Sequence, residues 1–215
     1  MVTSLAGGAA ALALPGRAFA GGAKWETITR EQGILVSTRE EEGRQFPSFR
    51  GIGRVNANIW EILAILADAD KHQEWMHQCN GSKLVRSIDR GNQIVYNRTD
   101  APWPVKDRDV VLKSRYSTAK EGKDIWARFE QTTDSSMGPV DGVVRMPTLV
   151  GHYHLVSTGE DSALVEYRVN ADPGGSLPDW LVKQTTKELP LHTLINLRGR
   201  VRSMRGKYDL NALKG

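Results

Sequence analysis

The side chains whose types could do chemistry are thinly spread. His152-x-His154 would put two imidazoles on one face of a strand, and His77-x-Cys79 is a second short pairing. Zinc needs a third ligand at matching spacing, and neither pair has one, so no metal is expected. Gly-x-Ser-x-Gly, His-Glu-x-x-His and a Walker loop are all missing. Gly51-x-Gly53 lacks the third glycine and the following helix of a dinucleotide loop, so no cofactor is expected. Arg145, His152, Glu166 and Tyr167 are left as candidates for acid–base work, which would require them to converge in one cavity. Cys79 is the single cysteine; it forms no internal disulfide and reads as a small buried residue.

The elements that must position these residues follow from composition and period. At 215 residues, 40% hydrophobic and 25% charged, the chain has the make-up of one globular domain with a sizeable core. A net charge of +4 without a basic run gives no nucleic-acid footprint. Arg198 to Lys207, the densest basic stretch, sits where it favours a helix C-terminus; contact with anionic headgroups is the sharper reading. Trp25 to Glu42 reads as a first strand and Phe46 to Ala57 as a second, with bends or bulges at Gly51 and Gly53. Asn58 caps a helix with Ile59, Ile62, Leu63 and Leu66 on one face. A meander comes next: Leu84 to Ile88, Gln93 to Thr99, Arg108 to Thr118, Asp124 to Thr133, Val140 to Ser157 and Ala163 to Asn170. Short turns such as Asp89 to Asn92 and Gly159 to Ser162 make the sheet antiparallel, and a sheet this wide curls. A long amphipathic helix, started by a Ser176 cap and Pro178, runs to about Met204 with a kink expected at Pro190. It must lay its apolar stripe across the concave face of the sheet.

One stretch, Ala101 to Tyr116, organises the rest. Two prolines bracket Trp103 and forbid a helix there. Lys106-Asp107-Arg108-Asp109 then leads into the apolar Val110-Val111-Leu112, so Arg108 needs a carboxylate or carbonyl partner, and Arg108 and Asp109 are read as a structural ion pair. This P-W-P-V-x-D-R-D-V-V run resembles the P-x-P-x-x-x-R-D-F/Y-V signature of START domains, the steroidogenic-acute-regulatory-protein-related lipid-transfer family. Gly142 to Arg145 is similar to its G-x-I/V-R segment, and Val165 to Pro178 resembles its stretch before the terminal helix. The resemblance runs from about Trp25 to about Tyr208.

The resemblance implies an α+β helix-grip fold of the Bet v 1-like type: a curved antiparallel sheet wrapped around the C-terminal helix, enclosing an apolar cavity. Trp126, Met137, Met146, Tyr153, Tyr167, Leu181 and Thr185 are the residues expected to line the cavity or its gate, the loop Thr133 to Pro139 packing with the helix as that gate. Cholesterol-carrying members bury an acid–base pair; counting from the R-D motif, its basic position falls at Ser114 and its acidic one near Asn97 or Arg98. A sterol is therefore not implied, and Arg145 with Glu166 is read as a substitute contact for a polar headgroup, the alternative being a solvent-facing cross-strand pair. Trp103 is a core or rim anchor, or an exposed residue that dips into a membrane.

Residues 1–20 are Ala/Gly/Leu-rich and end Ala18-Phe19-Ala20, a small-x-small cleavage site. They read as an export signal, although the usual positive n-region is missing, giving a periplasmic or secreted protein whose single domain spans residues 21–215; a cytoplasmic leader is the alternative. The function expected is a monomeric, non-enzymatic carrier of one lipid or hydrophobic molecule that touches membranes transiently. The rivals are a cyclase- or aromatase-like enzyme on the same fold and an interaction module with a vestigial tunnel.

Overall fold

The structure, a computed structural model, describes residues 24–214, so the proposed export signal lies outside the described residues. Its centre is a ten-stranded sheet in the order β1-β2-β3-β10-β9-β7-β6-β5-β4, antiparallel throughout that path. The strands are β1 (Glu26–Glu31), β2 (Ile34–Arg39), β3 (Ser48–Val55), β4 (Cys79–Asp89), β5 (Asn92–Thr99), β6 (Arg108–Ala119), β7 (Asp124–Gln131), β8 (Val144–Arg145), β9 (Thr148–Gly159) and β10 (Ser162–Asp172). The first three form one edge. The chain then crosses through helix α1 (Ile59–Ala67) and a 3-10 turn (Ala69–Glu74) to the far edge, and meanders back until β10 docks on β3. Helix α2 (Asp179–Met204) packs across β2 and β3, and a short α3 (Asn211–Lys214) ends the described chain. Among the described residues no helix is long and apolar enough to cross a membrane.

Local chemistry explains most of this. The Asn58 side chain accepts from the Trp60 amide at 3.0 Å, capping α1, whose Ile59, Ile62, Leu63 and Leu66 are buried. Where the sequence suggests one strand over Trp25 to Glu42, the chain forms a hairpin, turning at Gln32-Gly33 with φ of 50° and 70°. Val140 to Ser157 is likewise two pieces, because Pro147 has no N–H to donate and the ladder breaks there. β8 instead runs parallel to the start of β6. Gly51 and Gly53 cause no bulge: the β3 ladder is in unbroken register on both sides. They make room for α2, since a Cβ on Gly51 would come within 3.1 Å of Leu194 Cδ1 and the Pro190 carbonyl. Pro178, not Ser176, occupies the N-cap position of α2.

Candidate functional site

Between the concave face of the sheet and α2 lies a cavity of about 200 Å³. Alternate residues of the inner strands line it: Val110, Leu112 and Ser114 from β6, Ala127 and Phe129 from β7, Tyr153 from β9, and Tyr167, Val169 and Ala171 from β10. Leu66, His72, Trp75 and Met76 close one side, from α1 and the turn after it. From α2 come Val182, Thr185, Thr186 and Leu189, spaced so that one helical face looks inward. Tyr153 and Tyr167 stack with ring centroids 4.5 Å apart, and Phe129 packs beside both.

The lining carries no fixed charge. Among its described residues there is no Asp, Glu, Lys or Arg. Its titratable groups are all pushed toward their neutral forms, and burial is the first cause in each case. Burial lowers His72 and His77, with the neighbouring His192 adding to the effect at His77. It raises the Cys79 thiol, and raises the Tyr153 and Tyr167 hydroxyls well past their ordinary value. The His72 Nε2 lies 3.0 Å from the Leu66 carbonyl, so a neutral ring donates there, and Nδ1 stands 3.4 Å from Asn97 Oδ1. The Tyr153 hydroxyl, Trp75 Nε1 and His77 Nε2 are buried without a hydrogen-bond partner among the described residues.

The sequence profile of the START domain family matches residues 10–199. The chain belongs to this family. A solved STAR-related lipid transfer protein from Xanthomonas axonopodis is 36% identical, covers 83% of this chain and 98% of its own, and superposes with a TM-score of 0.75. An uncharacterized protein of Pseudomonas aeruginosa is 30% identical over 81% of this chain and 85% of its own length. Human phosphatidylcholine transfer protein is 24% identical over 77% of this chain and 78% of its own.

Within this START fold, Met146, Tyr153, Tyr167 and Thr185 line the cavity. Three other sequence-predicted residues do not. Trp126 sits on the convex face, stacked on His154 with centroids 3.8 Å apart, because β7 alternates and Ala127 takes the inward position. Leu181 is buried at the edge of the inward-facing stripe of α2, outside the lining. Met137 contributes its backbone: its carbonyl accepts from Arg145 Nη1 at 3.2 Å. The ion pair is also different from expectation. Arg108 donates to the carbonyls of Lys106, Pro173 and Gly174, tying β6 to the turn before α2. Asp109 pairs with Arg145 through bonds of 2.6 and 3.1 Å. Arg145 and Glu166 therefore make no joint headgroup contact; Glu166 faces outward and holds His152 at 3.0 Å and Arg50 at 3.5 Å. Of Arg145, His152, Glu166 and Tyr167, only Tyr167 reaches the cavity. Ser114 and Asn97 do line it, whereas Arg98 pairs with Asp107 at 2.7 Å. Sequence reading passed over Trp75 and His72 as site residues; the signal was their place just after an amphipathic helix whose buried face ends at Leu66.

Proposed function

We propose that the chain is a lipid carrier: it takes one lipid or other hydrophobic molecule into the cavity beneath α2 and moves it between membranes, outside the cytoplasm, without covalent chemistry. The observation that carries this reading is an apolar space, free of fixed charge, between a curved sheet and a helix. The relatives named for lipid transfer and for phosphatidylcholine transfer support it. Burial of the ligand's chain recovers about 0.8 kcal/mol per methylene, which offsets the cost of removing it from a bilayer once the walls close around it.

At about 200 Å³ the cavity is smaller than a typical ligand cleft of roughly 300–1,000 Å³, so loading a full lipid requires a wall to part. The first half of α2 is the wall that can move. Only Leu181 and Thr186 are buried before Pro190, whereas Pro190, Leu191, Thr193, Leu194, Leu197 and Val201 anchor the second half. Pro190 interrupts the helical hydrogen bonding at that junction. Native mass spectrometry of the purified chain after incubation with mixed-lipid vesicles tests the proposal. A one-to-one lipid adduct is expected. A chain that takes up no lipid from any vesicle overturns it.

A further inference from the structure

The cavity's polar atoms determine what kind of molecule it accepts, and this step rests on the carrier reading above. A charged group brought into a space with no counter-ion loses its hydration and gains nothing in return. The described lining offers neither a carboxylate nor a cation, and its imidazoles, thiol and phenols are held neutral. It does offer hydrogen-bond donors with nothing to donate to. Tyr153 is 5% exposed and Trp75 is 4% exposed, both line the cavity, and neither the tyrosine hydroxyl nor the indole N–H has a partner among the described residues. A buried donor without an acceptor is costly, and native folds rarely keep one without a use. Tyr153 has its ring fixed by stacking on Tyr167, so the hydroxyl keeps its place. We infer that the cavity selects an uncharged hydrophobic molecule bearing an acceptor oxygen, such as an ester or ketone carbonyl, which accepts from Tyr153 Oη–H and Trp75 Nε1–H. A molecule with an ionised headgroup would have to leave that group outside.

Three single-chain probes of matched length separate the terms: methyl dodecanoate, ionised dodecanoate at mildly alkaline pH, and the corresponding alkane, each measured by displacement of a fluorescent apolar probe from the full chain. The ester is expected to bind at least about tenfold tighter than the carboxylate, and about fivefold tighter than the alkane. Tyr153→Phe should remove most of the ester's advantage over the alkane. The same substitution should leave the melting temperature of the ligand-free protein unchanged or higher, because it deletes a hydroxyl that has no partner. A purely structural hydroxyl would do the reverse, and that result overturns the inference. Carboxylate binding as tight as the ester's overturns it too, while leaving the carrier reading intact. Failure of all three probes to bind, with a lipid adduct still formed from vesicles, overturns this inference alone; no uptake of any lipid overturns the carrier reading and this inference with it.

Discussion

At the scale of single residues, His72 shows how burial shapes both the cavity wall and its response to acid. The residue is 8% exposed, and that burial lowers the ring's proton affinity despite contacts with the Leu66 carbonyl and Asn97 that act the other way. Its folded pKa lies below the unfolded value of about 6.5, so in acid the unfolded chain takes up the proton first. Stability should fall as pH drops from about 7 to about 5, and His77 and His154, lowered chiefly by burial as well, act in the same direction. Asp124 enters only in stronger acid. Burial raises it, but hydrogen bonds from His154 and Lys120 outweigh this and hold it below the usual carboxylate value. Its contribution is present above the unfolded pKa of about 3.9 and disappears as pH falls through the lower folded one. Urea midpoints across this range check the order of events. His72→Gln should flatten the first loss without abolishing it; an unchanged slope would show that His72 does not titrate on unfolding.

At the scale of elements, the close approach of α2 to β3 depends on strand positions without side chains. Gly51 lies opposite Tyr167 on one neighbour and Val36 on the other, and its missing Cβ is the space that Leu194 and Pro190 occupy. Gly51→Ala should cost about 1–3 kcal/mol, because one of the contacts is backbone and cannot swing away. Gly138→Ala, in open space, should be close to neutral in the same denaturant titration. Equal effects would mean that the helix does not rest on the strand as described. The same region shows what the sequence could carry. The Asn58 cap, the apolar face of α1 and the turn at Gly159 to Ser162 were all readable, because each is set by residues within one or two turns of chain. The role of Gly51 was not, since a strand glycine looks like a bulge until the helix packed directly on it is known. The face taken by Trp126 had the same obstacle: an aromatic in a strand fits either side, and only the register that pairs Ala127 with Tyr153 decides. Register also creates a row invisible in sequence, Arg115, Arg128, His152, Arg168 and Arg50, directly opposed across five strands of the convex face. Glu166 and Glu41 sit among the arginines of this row and pair with Arg50 and Arg168, offsetting the repulsion.

At the scale of the molecule, the R-D motif gathers three surface segments at one end. Arg108 holds the carbonyls of Pro173 and Gly174, just before α2. Arg145, fixed by Asp109, holds those of Met137 and Gly138. Pro104 and Val105 lie against the same hollow as Leu177 and Pro178. Trp103, Val140 and Trp180 are carried by or next to these segments and are 92%, 36% and 55% exposed. Solvent does not favour large apolar side chains gathered at one end of a molecule, and a bilayer interface does. Leu177, just before α2, and Val182, in its first turn, line the cavity from this end. A carrier that met a membrane here would bring this end of its cavity to the bilayer. Trp103→Ala should then weaken partition onto vesicles by about tenfold, the order expected for leaving one large apolar side chain in water. It should leave the melting temperature unchanged, because the ring contributes little to the core. Ile88→Ala on β4, 45% exposed, is the matched control and should not alter partition. Sedimentation with vesicles measures both variants, and equal loss in the two would place the membrane-facing end elsewhere.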